Sequence, residues 1–180
     1  MFVFTDPFFW AFVGMFGLLI GIVLVSGIKL GQNAFLGLIT IMVCDCSRII
    51  LVLPFCSQPR FHIGIWNWII GGAILALSMV FGLPALSINW RTAPDSQMVL
   101  KTDGIYGIVR NPIYLTDVLF SLGFAVMFRS IIGVLLIPIW WIAYLSIVLV
   151  EEASLERVLG QRYLDYKQQV KGRIVPGLPI

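Results

Sequence analysis

The run Ile131–Val150, IIGVLLIPIWWIAYLSIVLV, holds twenty residues without one charged side chain. At 1.5 Å of rise per residue such a helix is about 30 Å long, the thickness of a bilayer's hydrocarbon core. Backbone in hydrocarbon must also satisfy its own hydrogen bonds, which a helix does. The run therefore reads as a membrane-crossing helix, and four more apolar stretches precede it: Phe8–Val25, Ala34–Phe55, Ile65–Ser87 and Ile113–Phe128. Together the five occupy more than half of the 180 residues. The chain is 59% apolar and 12% charged, against about 25% charged in an ordinary soluble domain, which excludes a soluble globule. The expected fold class is all-α: a polytopic membrane helix bundle of about five transmembrane helices with a cytoplasmic amphipathic helix at the carboxy end. One integral-membrane domain is expected over 1–180.

Beyond Val150 the run continues into Glu151-Glu152, and Leu155, Val158, Leu159, Tyr163, Tyr166 and Val170 recur at three- and four-residue spacing, which predicts an amphipathic helix to about residue 170. Upstream, Pro138 and Gly82-Leu83-Pro84 predict kinks or stops, since proline cannot donate the helix hydrogen bond. The segment 89–108 is the most polar and carries turn formers, so it is expected to be a long functional loop. With the amino terminus outside, nine Lys or Arg fall on the inner side and only Arg60 and Arg129 on the outer. That distribution satisfies the positive-inside rule. The first apolar run lacks a basic leader and a small-residue cleavage site, and reads as a retained span. Cys44, Cys46 and Cys56 make neither a disulfide framework nor a zinc pattern, His62 stands alone as a metal-ligand candidate, and the net charge of +3 is too small and scattered for nucleic acid.

Three places could carry chemistry. Within the second span Asp45 and Arg48 stand three residues apart on one helix face, where each can compensate the other's intramembrane charge. On the fourth stands Asp117, one turn after Tyr114. The junction Gly104-Ile-Tyr106-Gly-Ile-Val-Arg110-Asn111-Pro112-Ile113-Tyr114 offers a capping Asn and a Pro suited to the first helical position. It predicts a helix amino terminus at the membrane surface that favours an anion, with Arg110 beside it. Glu151 and Glu152 leave the apolar layer on the same side, and adjacent helix positions diverge by about 100°, so one is expected to face the bundle and the other water. A carboxylate opposite an anion-binding helix end suits a zwitterionic ligand.

The pattern Leu100-x-Thr102-x-Gly104-x-Tyr106, Arg110-Asn111-Pro112-x-Tyr114, Glu151-Glu152-x-x-Leu155, Leu159-Gly160-x-x-Tyr163-x-x-Tyr166 and Val175-Pro176 resembles the isoprenylcysteine carboxyl methyltransferase family, itself close in pattern to the phospholipid methyltransferases. The likeness covers about residues 78–180, a methyltransferase-like core, and leaves 1–77 less specific. It implies S-adenosylmethionine as cofactor, contacted by Met98, Val99, Leu100, Lys101, Tyr106, Asn111, Pro112, Ile113, Tyr114 and Glu151, and it implies a membrane lipid or other lipophilic methyl acceptor. Asn111 stands where prenylcysteine enzymes usually have His, and Asn-Pro resembles the phospholipid enzymes. Ile147 replaces a substrate-binding Arg of eukaryotic members, so the acceptor is not expected to be held by an Arg–carboxylate fork.

Methyl transfer from a sulfonium needs alignment more than acid–base work, so a chain with one His is adequate. Tyr114, Asp117 and Arg110 are the residues expected to act on the reactants. Asp117 would take a proton from a neutral nucleophile. The expected setting is a prokaryotic inner membrane, with the cofactor site and carboxy terminus cytoplasmic. Competing readings are a membrane reductase of the sterol-reductase type using NADPH, and a small transporter or non-catalytic protein with Asp45, Arg48 and Asp117 along a path.

Overall fold

A computed structural model describes residues 3–27, 34–90 and 100–179. Its helices are α1 (Pro7–Gly27), α2 (Ala34–Val52), α3 (Trp66–Trp90), α4 (Pro112–Met127), α5 (Ile131–Leu135), α6 (Ile137–Leu159) and α7 (Gln161–Gln169), with single 3₁₀ turns at Val3–Thr5 and Gly104–Gly107. Among the described residues there is no strand, only an isolated bridge between Arg60 and Ser130. The all-α expectation holds. Each apolar stretch of the sequence contains a helix, and among the described residues two segments, Trp66–Leu86 and Ile131–Leu159, are long and apolar enough to cross a membrane. Apolar side chains line outward faces: Phe8, Phe12, Phe16 and Leu19 on α1, and Trp68, Leu77, Val80 and Leu83 on α3 are all exposed. Apolar patches of this extent in a water-facing monomer would be anomalous, whereas a lipid-facing surface requires them.

Three expectations about breaks are corrected. Pro84 does not stop α3, which continues to Trp90. The interruption expected at Pro138 lies just before it, at Leu136, where Pro138 takes an early position in α6, the place at which its missing N–H costs no helical bond. The carboxy-terminal helix is not continuous: Gly160 adopts φ 55°, ψ −129°, a conformation essentially restricted to glycine. It turns α7 away from α6, so Tyr163, Tyr166 and Val170 pack as a cluster of their own, with Leu100, Leu155 and Leu159 against it.

α3 and α4 form one close hairpin and α1 and α2 another, while α6 packs on α1 and α4. Glycine permits the first contact: a Cβ on Gly71 would sit 2.7 Å from the Met127 backbone nitrogen and 2.8 Å from the Gly123 carbonyl. Leu18, Cys44, Val118, Trp140, Tyr144 and Ile147, from α1, α2, α4 and α6, meet in the main core. At the end of the bundle away from the 104–114 junction, Arg60 donates to the carbonyls of Val52, Leu53, Cys56 and Phe128. There one cation gathers the exposed carbonyl ends of two helices, the charge their dipoles favour.

Candidate active site

The junction is held by the chain's own carboxy-terminal segment. The backbone N–H groups of Arg110 and Asn111 donate to the carbonyls of Gly172 (2.8 Å) and Arg173 (2.9 Å). The side chains add a buried clasp. Glu152, 3% exposed, accepts from Arg110 Nε at 2.9 Å, from Asn111 Nδ2 at 3.1 Å and from Arg173 Nε at 3.2 Å. Arg110 also donates to the carbonyls of Val170 (2.6 Å) and Lys171 (3.2 Å). A buried guanidinium is tolerated only when paired and hydrogen-bonded, and here every nitrogen of Arg110 is engaged.

Two expectations change accordingly. Arg110 is not a free cation at the helix start but a strut that fixes it, and of the two glutamates it is Glu152 that is buried in the bundle, while Glu151 is half-buried. Asn111 does occupy the cap position of α4, yet its side chain makes no capping bond, having turned to Glu152. Among the described residues no acceptor meets the backbone N–H groups of Ile113 and Tyr114. The first turn of α4 thus keeps the anion-favouring character expected of it.

Glu151 lies on the neighbouring face of α6, near enough to the Tyr114 hydroxyl for the two groups to interact electrostatically. Among the described residues no cation pairs with it. The Tyr114 ring lies 5.4 Å from that of Tyr144, and Tyr144 in turn lies in the electrostatic neighbourhood of Asp117 and Cys44. Above Tyr144 sits the Arg48 guanidinium, 5.3 Å from the ring centre and 5.9 Å from that of Trp140. Arg48 is ion-paired with Asp45, as the sequence spacing predicts, and donates to Ser121 Oγ at 3.1 Å. A polar file therefore runs from Glu151 through Tyr114, Tyr144 and Asp117 to Arg48 and Asp45, inside an otherwise apolar bundle.

Of the remaining candidates, Pro112 is fully buried at the start of α4 and Leu100 packs against the Tyr163–Tyr166 cluster. The Tyr106 carbonyl accepts from the Tyr166 hydroxyl at 2.7 Å, which ties the 104–107 turn to α7. Burial pushes the Lys101 ammonium down, against Asp103, which raises it. Met98 and Val99 lie outside the described residues. Sequence reasoning missed Glu152 and Arg173 as a clasp, and it missed Tyr144. A signal for Tyr144 was present: Tyr144, Ile147 and Glu151 follow a three- and four-residue spacing along one helix stripe.

Glu151 and the open turn of α4 fit a ligand that carries both a positive charge and a carboxylate, the first set against an anion and the second against N–H groups. The family model for phospholipid methyltransferase matches residues 62–162, a stretch that runs from the loop before α3 through α4 and α6 into α7. No curated protein and no solved structure gives a significant match to the chain.

Proposed function

The chain belongs to the phospholipid methyltransferase family, and from that premise we propose that it is an integral-membrane, S-adenosylmethionine-dependent methyltransferase acting on a lipid-embedded acceptor. The observation that carries this reading is Glu151, a carboxylate with no cationic partner among the described residues, placed against Tyr114. A carboxylate at the edge of lipid is costly without a counter-charge, and a bound cofactor would provide one. When bound, that cofactor supplies a methyl group on a sulfonium, transferable to a nucleophile. The Ile113 and Tyr114 N–H groups would hold its carboxylate, Glu151 and Tyr114 its positively charged part, and Leu100, Lys101 and Tyr106 would contact it as the family resemblance implies. Arg110 and Asn111, held by Glu152, set the position of the α4 turn. Asp117 would accept the proton that a neutral nucleophile gives up.

The acceptor reaches this site sideways from the bilayer, its apolar body among the helices and its polar group at the polar file. Ile147, where a carboxylate-binding Arg would stand, is buried in the apolar core, which favours an acceptor recognised through other contacts. Five spans, with the junction and carboxy terminus on the cytoplasmic side of an inner membrane, complete the proposal. Their support is the five apolar stretches and the nine-to-two distribution of basic residues.

Calorimetry with S-adenosylhomocysteine on the purified protein tests the reading. Glu151→Gln should weaken binding about 10- to 100-fold, the worth of one charge-assisted hydrogen bond of roughly 1.5–3 kcal/mol. Equal affinities remove Glu151 from the site, and binding of NADPH in place of S-adenosylhomocysteine would replace the methyltransferase reading with a reductase one.

A further inference from the structure

The end of the bundle away from the 104–114 junction carries cations that no carboxylate meets. Two loops are zipped together there: the Phe61 N–H donates to the Arg129 carbonyl at 3.1 Å, the Ile131 N–H donates to the Pro59 carbonyl at 3.3 Å, and Arg60 bridges Ser130. Arg60 and Arg129 are thereby brought close, and burial together with the Arg129 charge pushes the Arg60 guanidinium down from its ordinary value. Residues 53–66 and 128–137 include no Asp or Glu. Asp6 comes to this end through the bond from the Ser57 N–H to the Thr5 carbonyl, but it accepts from the Phe8 N–H at 2.9 Å and caps α1. The backbone of Arg129 is strained. α4 ends in a turn in which the Ser130 N–H donates to the Ala125 carbonyl at 2.8 Å and the Arg129 N–H to that of Val126 at 3.0 Å, a closure whose left-handed residue is usually glycine. Arg129 fills that position at φ 60°, whereas every other positive φ among the described residues belongs to a glycine: Gly64, Gly104, Gly160 and Gly177. A bulky residue kept in such a conformation points to a use for its side chain.

That side chain is half-buried, and its Nη1 donates to His62 Nδ1 at 3.1 Å. A guanidinium can only donate, so Nδ1 accepts and the ring proton of a neutral His62 stands on Nε2. The exposed imidazole is then a second donor beside the remaining N–H groups of Arg129. Ile63, Ile65, Trp66 and Trp68 are exposed around the pair, with Trp68 edge-on to Phe128 at 6.2 Å between ring centres. Exposed tryptophans of this kind belong at the boundary between acyl chains and headgroups. We propose that Arg129 and His62 form a binding site for the phosphate of an anionic phospholipid of the phosphatidylglycerol kind, in the leaflet at this end of the bundle. Arg129 and His62 Nε2 donate to the phosphate oxygens, a charge-assisted contact that a planar guanidinium suits. The two arginines decide the net charge of the occupant: phosphatidylglycerol supplies the missing negative charge and has no ammonium, whereas the ammonium of phosphatidylethanolamine would meet Arg60. The acyl chains lie along the exposed apolar face of α3. The site stands at the opposite end of α4 from Tyr114 and does not depend on the methyl-transfer reading.

The test is thermal unfolding of the full-length protein in neutral detergent micelles, titrated with dioleoyl-phosphatidylglycerol, dioleoyl-phosphatidylcholine or inorganic phosphate. The wild-type midpoint should rise with phosphatidylglycerol and with neither of the others, because a ligand that binds only the folded state stabilises it. Arg129→Gly removes the guanidinium and relieves the backbone, so its midpoint without added lipid should be no lower than that of wild type. Its half-saturating phosphatidylglycerol concentration should rise about 10-fold or more, the loss of one charge-assisted hydrogen bond. His62→Phe keeps a ring and removes the donor, and should raise that concentration about 3- to 10-fold, as for a neutral hydrogen bond. Arg157→Gln, at an exposed cation in the last turn of α6, should respond as wild type. The proposal is overturned by a phosphatidylglycerol response that Arg129→Gly retains, by one that Arg157→Gln loses equally, or by one that phosphatidylcholine or phosphate reproduces. An Arg129→Gly midpoint well below wild type in lipid-free micelles overturns it too, since Arg129 would then serve the fold alone.

Discussion

Replacing Glu152 by Gln should unfold the junction, and the geometry gives the size of the effect. The carboxylate is 3% exposed and receives Arg110, Asn111 and Arg173 at 2.9, 3.1 and 3.2 Å. A Gln keeps one oxygen but turns an N–H₂ toward the guanidinium groups, so at least one donor meets another donor. Arg110, 7% exposed, would then be a buried cation without an anion. Removing one partner of a buried pair costs roughly 3–5 kcal/mol. Because the Val170 and Lys171 carbonyls still receive Arg110, about 3 kcal/mol is expected, the lower end of that range. Arg173→Met should cost about 1 kcal/mol or less, since the Arg173 side chain is 22% exposed and is already partly solvated.

The assay is reversible unfolding in mixed micelles of a mild detergent and dodecyl sulfate, followed by circular dichroism. Hydrogen exchange supplies the local readout: the Arg110 and Asn111 amides, bonded to Gly172 and Arg173, should lose protection in Glu152→Gln and keep it in Glu151→Gln. A Glu152→Gln protein within about 1 kcal/mol of wild type, the scale of an exposed pair, would refute the claim that this clasp holds the site together.

Gly71→Ala should destabilise the α3–α4 hairpin by about 1–3 kcal/mol in the same unfolding assay, because the new methyl meets backbone atoms that cannot rotate aside. Single cysteines at exposed positions, His62→Cys and Gln168→Cys in a protein lacking Cys44, Cys46 and Cys56, should react differently with an impermeant thiol reagent on intact cells. Position 62 should label from outside and position 168 only after permeabilisation, and the reverse pattern overturns the proposed topology. Burial pushes the Tyr163 and Tyr166 hydroxyls up from their ordinary value of 10.0, Glu152 adding to it for Tyr163 while Arg110 opposes it for both. A raised folded value means that this stabilisation is complete below pH 10 and lost as pH rises above it. Alkaline titration should therefore release α7 only beyond that point, with tyrosinate absorbance and loss of helix rising together.

Composition and periodicity were enough for the helix bundle, because the demand that backbone in hydrocarbon bond to itself leaves an apolar run of twenty residues few alternatives. The Asp45–Arg48 pair was equally legible, since partners three residues apart on a helix need no tertiary information to meet. The junction at Asn111-Pro112 could be located, but not what its side chains do. Arg110 and Asn111 turn from the helix start to Glu152, more than forty positions away in the chain, and only the folded molecule brings the two together. The choice between Glu151 and Glu152 was of the same kind. Adjacent residues on a helix have identical local surroundings, and which of them is buried against Arg110 and Arg173 and which is left beside Tyr114 depends on how α6 is rotated against α4 and the carboxy-terminal segment. Local chemistry selected the elements, while the rotation and distance between them, set by the packing of glycines and large side chains at their contacts, decided which polar groups are spent on holding the fold and which remain for a ligand.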